Sequence, residues 1–170
     1  MATETRTEAA LSAAGVLRAL KAAGFTDVVW LPDSESGFLH QALAADDTLR
    51  LVSVCREGEA IAIALGLTVA GRQPVVIIQS TGFFESGDSI RGAALSFGMP
   101  LLLMVGYRGW SYGGPMADTA AIYLEPVLDA WGIPHHLIER DDDLEGVEQA
   151  WAQARERGGP VAVLVGQEYE

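Results

Sequence analysis

The sequence contains a single cysteine, Cys55, and no uninterrupted apolar stretch of transmembrane length. A lone cysteine cannot form a disulfide within the chain, which suits the reducing conditions of the cytoplasm. A membrane-spanning helix needs roughly 20 mostly apolar residues. The first residues, MATETRTEAAL, also lack the basic and apolar regions of a signal peptide. We therefore expect a cytoplasmic protein without a membrane anchor.

Positive charge is also scarce in this chain. There are 11 Lys and Arg residues against 23 Asp and Glu residues, which gives a net charge of −12, and Lys21 is the only lysine. Proteins that bind nucleic acids neutralise phosphates with a basic surface. The charge balance therefore argues against nucleic acid, and we expect neither nucleic acid nor a membrane among the partners.

Several common site motifs are missing as well. There is no G-x-x-x-x-G-K-[ST] phosphate loop and no G-x-G-x-x-G segment after the first predicted strand. The sequence therefore lacks the two most common nucleotide-binding motifs. No set of His and Cys residues has the spacing of a zinc site, so we predict no metal ligands in this chain.

The sequence predicts one α/β domain over residues 1–170. With 170 residues, 49% of them hydrophobic, the chain can bury one substantial core. Near-continuous apolar strands alternate with helical segments, which is typical of parallel strands covered on both faces. We predict a three-layer, doubly wound, mainly parallel sheet of about six strands. The predicted strands are 27–31, 51–55, 74–79, 101–106, 134–138 and 161–165, and the predicted helices are 7–23, 37–45, 55–71, 89–98, 118–131 and 144–157.

Three segments carry specific expectations. Residues 80–87 are rich in Ser, Thr and Gly, and are predicted to form a loop. The helix 118–131 contains Pro126, which lacks the backbone N–H that a helix interior uses. We therefore expect that helix to be kinked or broken near Pro126. A Gly-rich loop is expected over residues 107–115.

Residues 55–71, CREGEAIAIALGLTVAG, are the most informative stretch. Two carboxylates, Glu57 and Glu59, precede a helix that is apolar on every side, and such a helix is predicted to be buried on all faces. Two positions correspond to roughly 200° around a helix, so only one carboxylate faces a given pocket. A carboxylate entering an apolar core is costly unless it is paired or functional. One of the two is therefore a candidate catalytic acid; the alternative is a residue that only complements the helix dipole.

Polar side chains follow four of the predicted strands. In parallel sheets of this kind, ligands bind at the carboxyl ends of the strands. The candidates at that edge are Pro32, Asp33 and Ser34, then Arg56 and Glu57, then Gln79, Ser80, Thr81 and Gly82, and finally Gly106, Tyr107, Arg108 and Gly109. The loops at the opposite edge are shorter and simpler, so the pattern favours a binding site at the carboxyl edge.

Five segments give the chain a resemblance to a known family. They are LPDS (31–34), REGEAIAIALG (56–66), QSTG with GDSI (79–82 and 87–90), VGYRG (105–109) and LDAWGIP (128–134). With these segments, nearly the whole sequence resembles the pyrimidine-binding domain of thiamine diphosphate enzymes. It is most similar to the alpha subunits of sulfopyruvate decarboxylases and the N-terminal halves of phosphonopyruvate decarboxylases. The REGEA segment with its apolar helix is the most specific of the five.

The resemblance implies roles for individual residues. In that family, the first Glu of the REGEA segment hydrogen-bonds the pyrimidine ring of the cofactor, and Glu57 occupies its position, whereas Glu59 does not. The carboxyl group stabilises the cofactor tautomer whose own amino group deprotonates the thiazolium carbon. The resemblance therefore implies Glu57 as the catalytic residue. The implied cofactor-binding residues are Glu57, Pro32, Asp33, Gln79, Ser80, Thr81 and Gly82.

The sequence contains no asparagine. Thiamine enzymes hold the diphosphate through Mg²⁺ with a Gly-Asp-Gly segment and a later Asn, so the domain that binds diphosphate and metal is expected to be absent from this chain. In the family, the cofactor lies between a pyrimidine-binding domain and a diphosphate-binding domain. The resemblance therefore implies a separate beta subunit that holds Mg²⁺, in a hetero-oligomer such as α2β2 or larger.

The implied activity is that of a two-component 2-oxo acid decarboxylase acting on a small 2-oxo acid. Ser34 and Arg108 are the candidate substrate-binding residues, with Arg108 free to grip a carboxylate through two hydrogen bonds. Two features differ from the family: residues 107–121 contain no histidine, and Glu85 would repel an anionic substrate if it faced the pocket. A carboligase resembling acetolactate synthase, and a non-catalytic flavodoxin-like binding or scaffold subunit, remain alternatives.

Overall fold

The computed structural model describes residues 11–111, 116 and 118–166. Within them, six strands form one sheet in the order β2-β1-β3-β4-β6-β5, and every neighbouring pair is parallel. The strands are β1 (Asp27–Trp30), β2 (Arg50–Ser53), β3 (Pro74–Gln79), β4 (Leu101–Gly106), β5 (His135–Ile138) and β6 (Pro160–Val165). The helices are α1 (Ala13–Ala22), α2 (His40–Ala44), α3 (Glu57–Val69), α4 (Ser80–Glu85), α5 (Gly87–Ser89), α6 (Thr119–Ala130) and α7 (Glu145–Arg157). The predicted α/β sheet of about six strands is confirmed.

Helices cover both faces of the sheet and complete three layers. Helices α1, α2 and α7 share one apolar cluster with one face, for example through Leu20 and Trp151. Helices α3, α4 and α6 share a second cluster with the other face, for example through Ile61 and Leu124. Strands β3, β4 and β6 are buried along their whole length. The apolar runs predicted this burial, because a parallel strand between two helical layers meets no water on either side.

The sequence also predicted where the first and last helices lie. Helix α1 begins after Ser12, whose Oγ accepts a hydrogen bond of 3.0 Å from the backbone N–H of Gly15. Helix α7 ends at Gly158, which has a φ of 63°, a conformation that glycine adopts without strain. Residues 7–10 of the predicted first helix lie outside the described residues.

The segment predicted as the loop 80–87 is mostly helical, so this prediction was wrong. Residues Ser80–Glu85 form α4, and Gly87–Ser89 form the short α5, which continues into a π-helical turn, Ile90–Leu95. The helical conformation of α4 turns Phe83 fully into the core. Burial of an aromatic side chain outweighs the weak helix propensity of Ser, Thr and Gly.

Helix α6 continues through Pro126, so the predicted break near this residue is absent. The proline removes one backbone donor, which would have bonded the carbonyl of Ile122 four residues earlier. Ile122 is half exposed, and this side of the helix is therefore open to water that can bind the carbonyl. The apolar contacts of Leu124 and Leu128, both fully buried, hold the helix against the sheet on the other side.

Helix α3 is buried on one face and exposed on the other, which corrects the prediction of burial on all faces. Its buried residues are Ala60, Ile61, Ala64 and Leu65, and its exposed apolar or small residues are Ala62, Gly66 and Val69. Val69 is 79% exposed. An apolar outer face of this kind is unusual for a surface helix, whose outer side is normally polar.

At the amino edge of the sheet, opposite the predicted site, Asp27 ties three strands together. The residue is fully buried, and its carboxylate accepts hydrogen bonds of 2.6 Å from Nε of Arg50 and 2.5 Å from Nε of Arg72. Burial raises the pKa of Asp27, but the hydrogen bonds from Arg72, Thr26 and Arg50 outweigh it and lower the pKa below its ordinary value. Asp27 is therefore a charged structural link between β1, β2 and the start of β3.

We expect Asp27→Asn to lower the free energy of unfolding by about 2 kcal/mol at pH 7, because hydrogen bonds to a charged group contribute about 1.5–3 kcal/mol. The lowered pKa means that this stabilisation is complete above the unfolded-state value of about 3.9 and is lost as the pH falls through the folded-state value. Urea denaturation from pH 7 down to about pH 3 should show the difference shrinking.

The control for this prediction is Asp88→Asn. The side chain of Asp88 is 89% exposed and pairs only with Arg91 on the surface. Its loss should change the free energy of unfolding by no more than about 0.5 kcal/mol. Equal losses in the two variants would show that the buried network at Asp27 does not stabilise the fold.

Candidate active site

The carboxyl edge of the sheet contains the point where the chain reverses direction across the strand order. The chain runs from β1 to β2 on one side of β1 and then returns to β3 on its other side. The loops that follow β1 and β3 therefore leave these two neighbouring strands in opposite directions. Such a reversal leaves a crevice at the carboxyl ends of the two strands, which is the usual ligand site of open α/β sheets. Two of the four predicted polar clusters, 32–34 and 79–82, lie there.

Side chains from these two clusters form a hydrogen-bonded chain across the crevice. Nε2 of Gln79 lies 3.4 Å from Oγ of Ser34 and donates to it. The Oγ1 hydroxyl of Thr81 donates to Oε1 of Gln79 over 2.5 Å. The structure therefore brings Ser34, Gln79 and Thr81 together, although 45 positions separate Ser34 from Gln79.

Glu57 joins the same group through Gly82. A Cβ atom placed on Gly82 would lie 2.5 Å from Oε1 and 2.7 Å from Cδ of Glu57, so the Glu57 side chain occupies the space that a larger residue at position 82 would fill. Glu57 is partly buried there. Glu59 instead is exposed, and its Oε2 lies 3.4 Å from the backbone nitrogen of Cys55. Of the two carboxylates, Glu57 is the one that reaches the cluster.

Asp33 stabilises its own loop. Its Oδ1 accepts hydrogen bonds of 2.8 Å from the backbone N–H groups of Glu35 and Ser36, and its Oδ2 accepts one of 2.6 Å from Oγ of Ser36. The folded loop carries Glu35 across Gly106, where a Cβ would lie 2.6 Å from that of Glu35. The sequence did not single out Glu35, because only the fold of this loop brings it to the carboxyl edge.

Ser80 supplies an unsatisfied group beside these residues. It is the fully buried first residue of α4, and its Oγ is the one buried side-chain oxygen or nitrogen without a hydrogen-bond partner in the described part of the chain. A buried hydroxyl without a partner costs free energy, so it calls for an explanation such as a bound ligand.

The carboxylate of Glu85 is paired with neighbouring donors, which weakens its repulsion of an anionic substrate. Its Oε1 accepts hydrogen bonds from the guanidinium of Arg56, with Nε at 3.2 Å, and its Oε2 accepts one of 3.1 Å from the backbone N–H of Gly58. The hydrogen bond from Arg56, and then that from Gly58, lower the pKa of Glu85 below its ordinary value. The positive charge of Arg56 therefore offsets the repulsion that the sequence predicted between Glu85 and an anionic substrate.

Arg108 is not free either, which corrects the sequence interpretation. Its Nε donates to Oδ2 of Asp118 over 2.9 Å. Asp118 is also the N-cap of α6, since its Oδ1 accepts a 2.8 Å hydrogen bond from the backbone N–H of Ala120. This bond from Ala120, and then that from Arg108, lower the pKa of Asp118. Residues 112–115 of the expected Gly-rich loop lie outside the described residues.

Two aromatic residues hold the start of this loop. The rings of Tyr107 and Trp110 stack with centroids 5.0 Å apart. The Tyr107 hydroxyl donates to Oε1 of Glu125 over 2.8 Å, and Nε1 of Trp110 donates to Oε1 of Glu139 over 2.8 Å. Burial, followed by the bond to Glu125, raises the pKa of Tyr107. Tyr107 is therefore a neutral donor that fastens the loop to α6.

An apolar groove of about 440 Å³ lies between α4 and α6, beside the cluster. Its walls include Thr81, Phe84, Tyr123 and Val127. Phe84 is 37% exposed and Tyr123 59% exposed. Apolar surface concentrated beside a polar cluster is typical of a site that binds a ligand or another protein.

Two kinds of feature are absent from the residues with described positions: a metal-binding group of side chains and a membrane-spanning helix. No group of three or more His, Cys, Asp or Glu side chains there is arranged to hold a metal ion. None of the helices in the same part of the chain is both long and apolar enough to cross a bilayer.

Comparison with known proteins gives one family match. Residues 12–132 match the family model described as thiamine pyrophosphate enzyme, N-terminal TPP binding domain, where thiamine pyrophosphate is another name for thiamine diphosphate. The matched range includes Glu57, Ser34 and the whole of the cluster 79–82. The match therefore covers every residue that the structure brings together at the crevice.

Two curated relatives are similar over most of the chain. Sulfopyruvate decarboxylase of Methanosarcina acetivorans is 25% identical over 115 residues, which are 67% of this chain and 30% of that protein. Sulfopyruvate decarboxylase subunit alpha of Methanocaldococcus jannaschii is 25% identical over 120 residues, which are 70% of this chain and 71% of that subunit. The matched region thus spans under a third of the first relative and most of the second.

A solved structure shares the fold. The crystal structure of benzoylformate decarboxylase from Polynucleobacter necessarius superimposes with a TM-score of 0.68 at 19% sequence identity. The superposition covers 90% of this chain and 29% of that protein. The described sheet and its helices therefore share the fold of one part of the benzoylformate decarboxylase chain.

Proposed function

Because the chain belongs to the thiamine pyrophosphate enzymes, through their N-terminal TPP binding domain, we propose that it is the pyrimidine-binding subunit of a two-component 2-oxo acid decarboxylase. The observation that carries this proposal is the position of Glu57, which lies across Gly82 beside the hydrogen-bonded chain of Ser34, Gln79 and Thr81. A half-buried carboxyl at a ligand crevice is suited to sharing a proton with a bound nitrogen base. The two decarboxylase relatives support this activity over the carboligase and flavodoxin-like alternatives.

The residues at the crevice fit the pyrimidine end of thiamine diphosphate. Glu57 would exchange a proton between its carboxyl oxygen and a pyrimidine nitrogen, and the fully buried Ser80 would lie behind the site at the start of α4. Gln79, Thr81 and Gly82 would shape the surface under the ring, while Pro32 and Asp33 would act through the loop after β1. When bound, the cofactor supplies a nucleophilic carbon and an electron sink for the loss of carbon dioxide.

The chain supplies half of the proposed site, and a beta subunit supplies the rest. The sequence has no asparagine, which the diphosphate-binding motif of this family requires, so Mg²⁺ and the diphosphate are assigned to the partner. Two exposed apolar surfaces support a partner: the outer face of α3 and the groove between α4 and α6. We propose a hetero-oligomer such as α2β2 or larger, working in the cytoplasm, where the exposed thiol of Cys55 stays reduced.

A small 2-oxo acid is the proposed substrate. Ser34 lies at the crevice, where its Oγ accepts from Gln79 and donates to Oε2 of Glu35 over 3.1 Å. We propose that the hydroxyl turns from Glu35 to a carboxylate oxygen when the substrate binds. Arg108 is the proposed counter-charge, with its terminal guanidinium nitrogens acting while Nε stays bonded to Asp118. Glu85 does not prevent the binding of an anionic substrate, because its negative charge is neutralised by Arg56.

The test of the proposed function is reconstitution. The purified chain, with Mg²⁺, thiamine diphosphate and a panel of 2-oxo acids that includes sulfopyruvate, should release no carbon dioxide, and calorimetry should show only weak cofactor binding. Adding a beta subunit captured from the native host should produce turnover. Robust decarboxylation by the chain alone would contradict the divided site, and a captured complex inactive on every acid would contradict the decarboxylase.

A further inference from the structure

Glu85 is the one acidic side chain of α4, and it reaches across to the first turn of α3. Its two carboxylate oxygens are used separately: Oε1 by the guanidinium of Arg56 and Oε2 by the backbone N–H of Gly58. These two residues stand immediately before and after Glu57 in the chain. The carboxylate of Glu85 therefore holds both neighbours of the proposed catalytic residue.

The helix end that carries Glu57 has little other support of its own. Arg56 occupies the N-cap position of α3, and its side chain makes no capping hydrogen bond. The first N–H groups of any helix lack partners within the helix, so they must be satisfied from outside. Glu85 supplies one of these partners from 27 positions away, in place of the usual local cap.

Glu85 and Gly82 act on the same part of α3 from one face of α4. They are three positions apart, which places them next to each other along a helix. Gly82 leaves the space in which the Glu57 side chain lies, while Glu85 bonds the backbone amide of Gly58 on one side of Glu57 and the side chain of Arg56 on the other. The two contacts hold the first turn of α3, which carries Glu57, against α4.

We propose that Glu85 is a positioning residue for Glu57, holding the first turn of α3 against α4 through Arg56 and the Gly58 amide. The inference rests on the proposed function of Glu57 and adds a second residue, Glu85, to the same site. It also gives α4 a role: the helix carries both the space for the Glu57 side chain and the anchor for its backbone.

The first experiment examines the geometry in the full chain by NMR, without any turnover. In Glu85→Ala, hydrogen exchange at the Gly58 amide should become roughly tenfold faster or more, because the amide loses its acceptor. Cross-relaxation between the Glu57 γ-protons and the Gly82 α-protons should weaken. Glu85→Gln keeps an oxygen acceptor and should restore much of both signals. Unchanged signals in Glu85→Ala would overturn the proposal.

The second experiment measures kinetics in the reconstituted complex. Glu85→Ala should lower kcat roughly tenfold or more with little change in the KM of the 2-oxo acid, since small displacements of a catalytic group are costly. Glu85→Gln keeps one of the two oxygen acceptors, which can still bind the Gly58 amide, and should recover part of the loss. The matched control is Asp88→Ala, which removes an equal charge from an exposed ion pair with Arg91 and should leave kcat unchanged. Equal kcat values for Glu85→Ala and Asp88→Ala would overturn the proposal.

The two experiments separate this inference from the proposed function. If the wild-type complex proves inactive on all 2-oxo acids, the proposed function fails, while the NMR signals still report whether Glu85 fixes Glu57 over Gly82. If the complex is active and Glu57 is essential, but removing Glu85 changes neither the NMR signals nor kcat, the positioning role alone fails.

Discussion

Glu57→Gln should lower the kcat of the reconstituted complex at least about a hundredfold, because proton transfer by a positioned side chain typically contributes a factor of 10²–10⁴. Glutamine has nearly the same shape and should still lie across Gly82, so the variant should fold and assemble normally. It cannot exchange a proton with a bound pyrimidine nitrogen. Steady-state kinetics, together with size-exclusion chromatography of the complex, measure both parts of the expectation.

The control for this variant is Glu59→Gln, from the same turn of the same helix. Glu59 is exposed and does not reach the cluster, and its loss removes the same charge near the helix start. We expect its kcat to stay within about threefold of wild type, since exposed charges contribute little. Similar kcat values for the two variants would show that the assignment of the catalytic carboxylate to Glu57 is wrong.

Gly82→Ala should be nearly as damaging as the loss of the carboxyl itself. The added methyl group would lie 2.5 Å from Oε1 of Glu57, a distance that requires the side chain to move out of its place. A displaced catalytic group loses its alignment with the substrate or cofactor, which can cost about a hundredfold in rate. We expect a fall of that order in kcat, measured in the reconstituted complex alongside the melting temperature of the chain.

Gly92→Ala provides a matched control for this prediction. A Cβ on Gly92 meets nothing within 4 Å, and neither Gly82 nor Gly92 has a positive φ. The same substitution there should be neutral or slightly stabilising, because alanine favours helical backbone by up to about 1 kcal/mol over glycine. In a Glu57→Ala background, adding Gly82→Ala should cause almost no further loss. Additive losses in the double variant would mean that the methyl group acts elsewhere.

The fold could be predicted from the sequence because its central strands are apolar throughout. A strand such as β3, PVVIIQ, has no polar face, which requires helices on both sides and hence a parallel sheet. Membership of the thiamine pyrophosphate enzymes, expected from the REGEA segment, is confirmed by the family match. Helix α4 was missed because its local sequence favours a loop, whereas the burial of Phe83 decides its conformation.

The site was predictable in part, for a related reason. Position in the chain relative to a strand end predicted that Ser34, Glu57 and Gln79 lie at one edge of the sheet, since parallel strands bring their carboxyl ends together. The ion pairs between charged side chains could not be predicted from position in the sequence. The ion pairs Arg108–Asp118 and Arg56–Glu85 form only when the folded chain brings their partners together. No spacing in the sequence specifies these contacts.

The order of the strands also bears on how the chain is made. Strand β6 lies between β4 and β5, although it follows both in the sequence. During synthesis, the first four strands can pair as they leave the ribosome, but β5 has no neighbour until residues Pro160–Val165 have emerged. The apolar surface that β6 covers on α7 and β4 stays exposed to water for that interval. Strand β5 therefore joins the sheet only once β6, which follows it in the sequence, is available to pair on both sides.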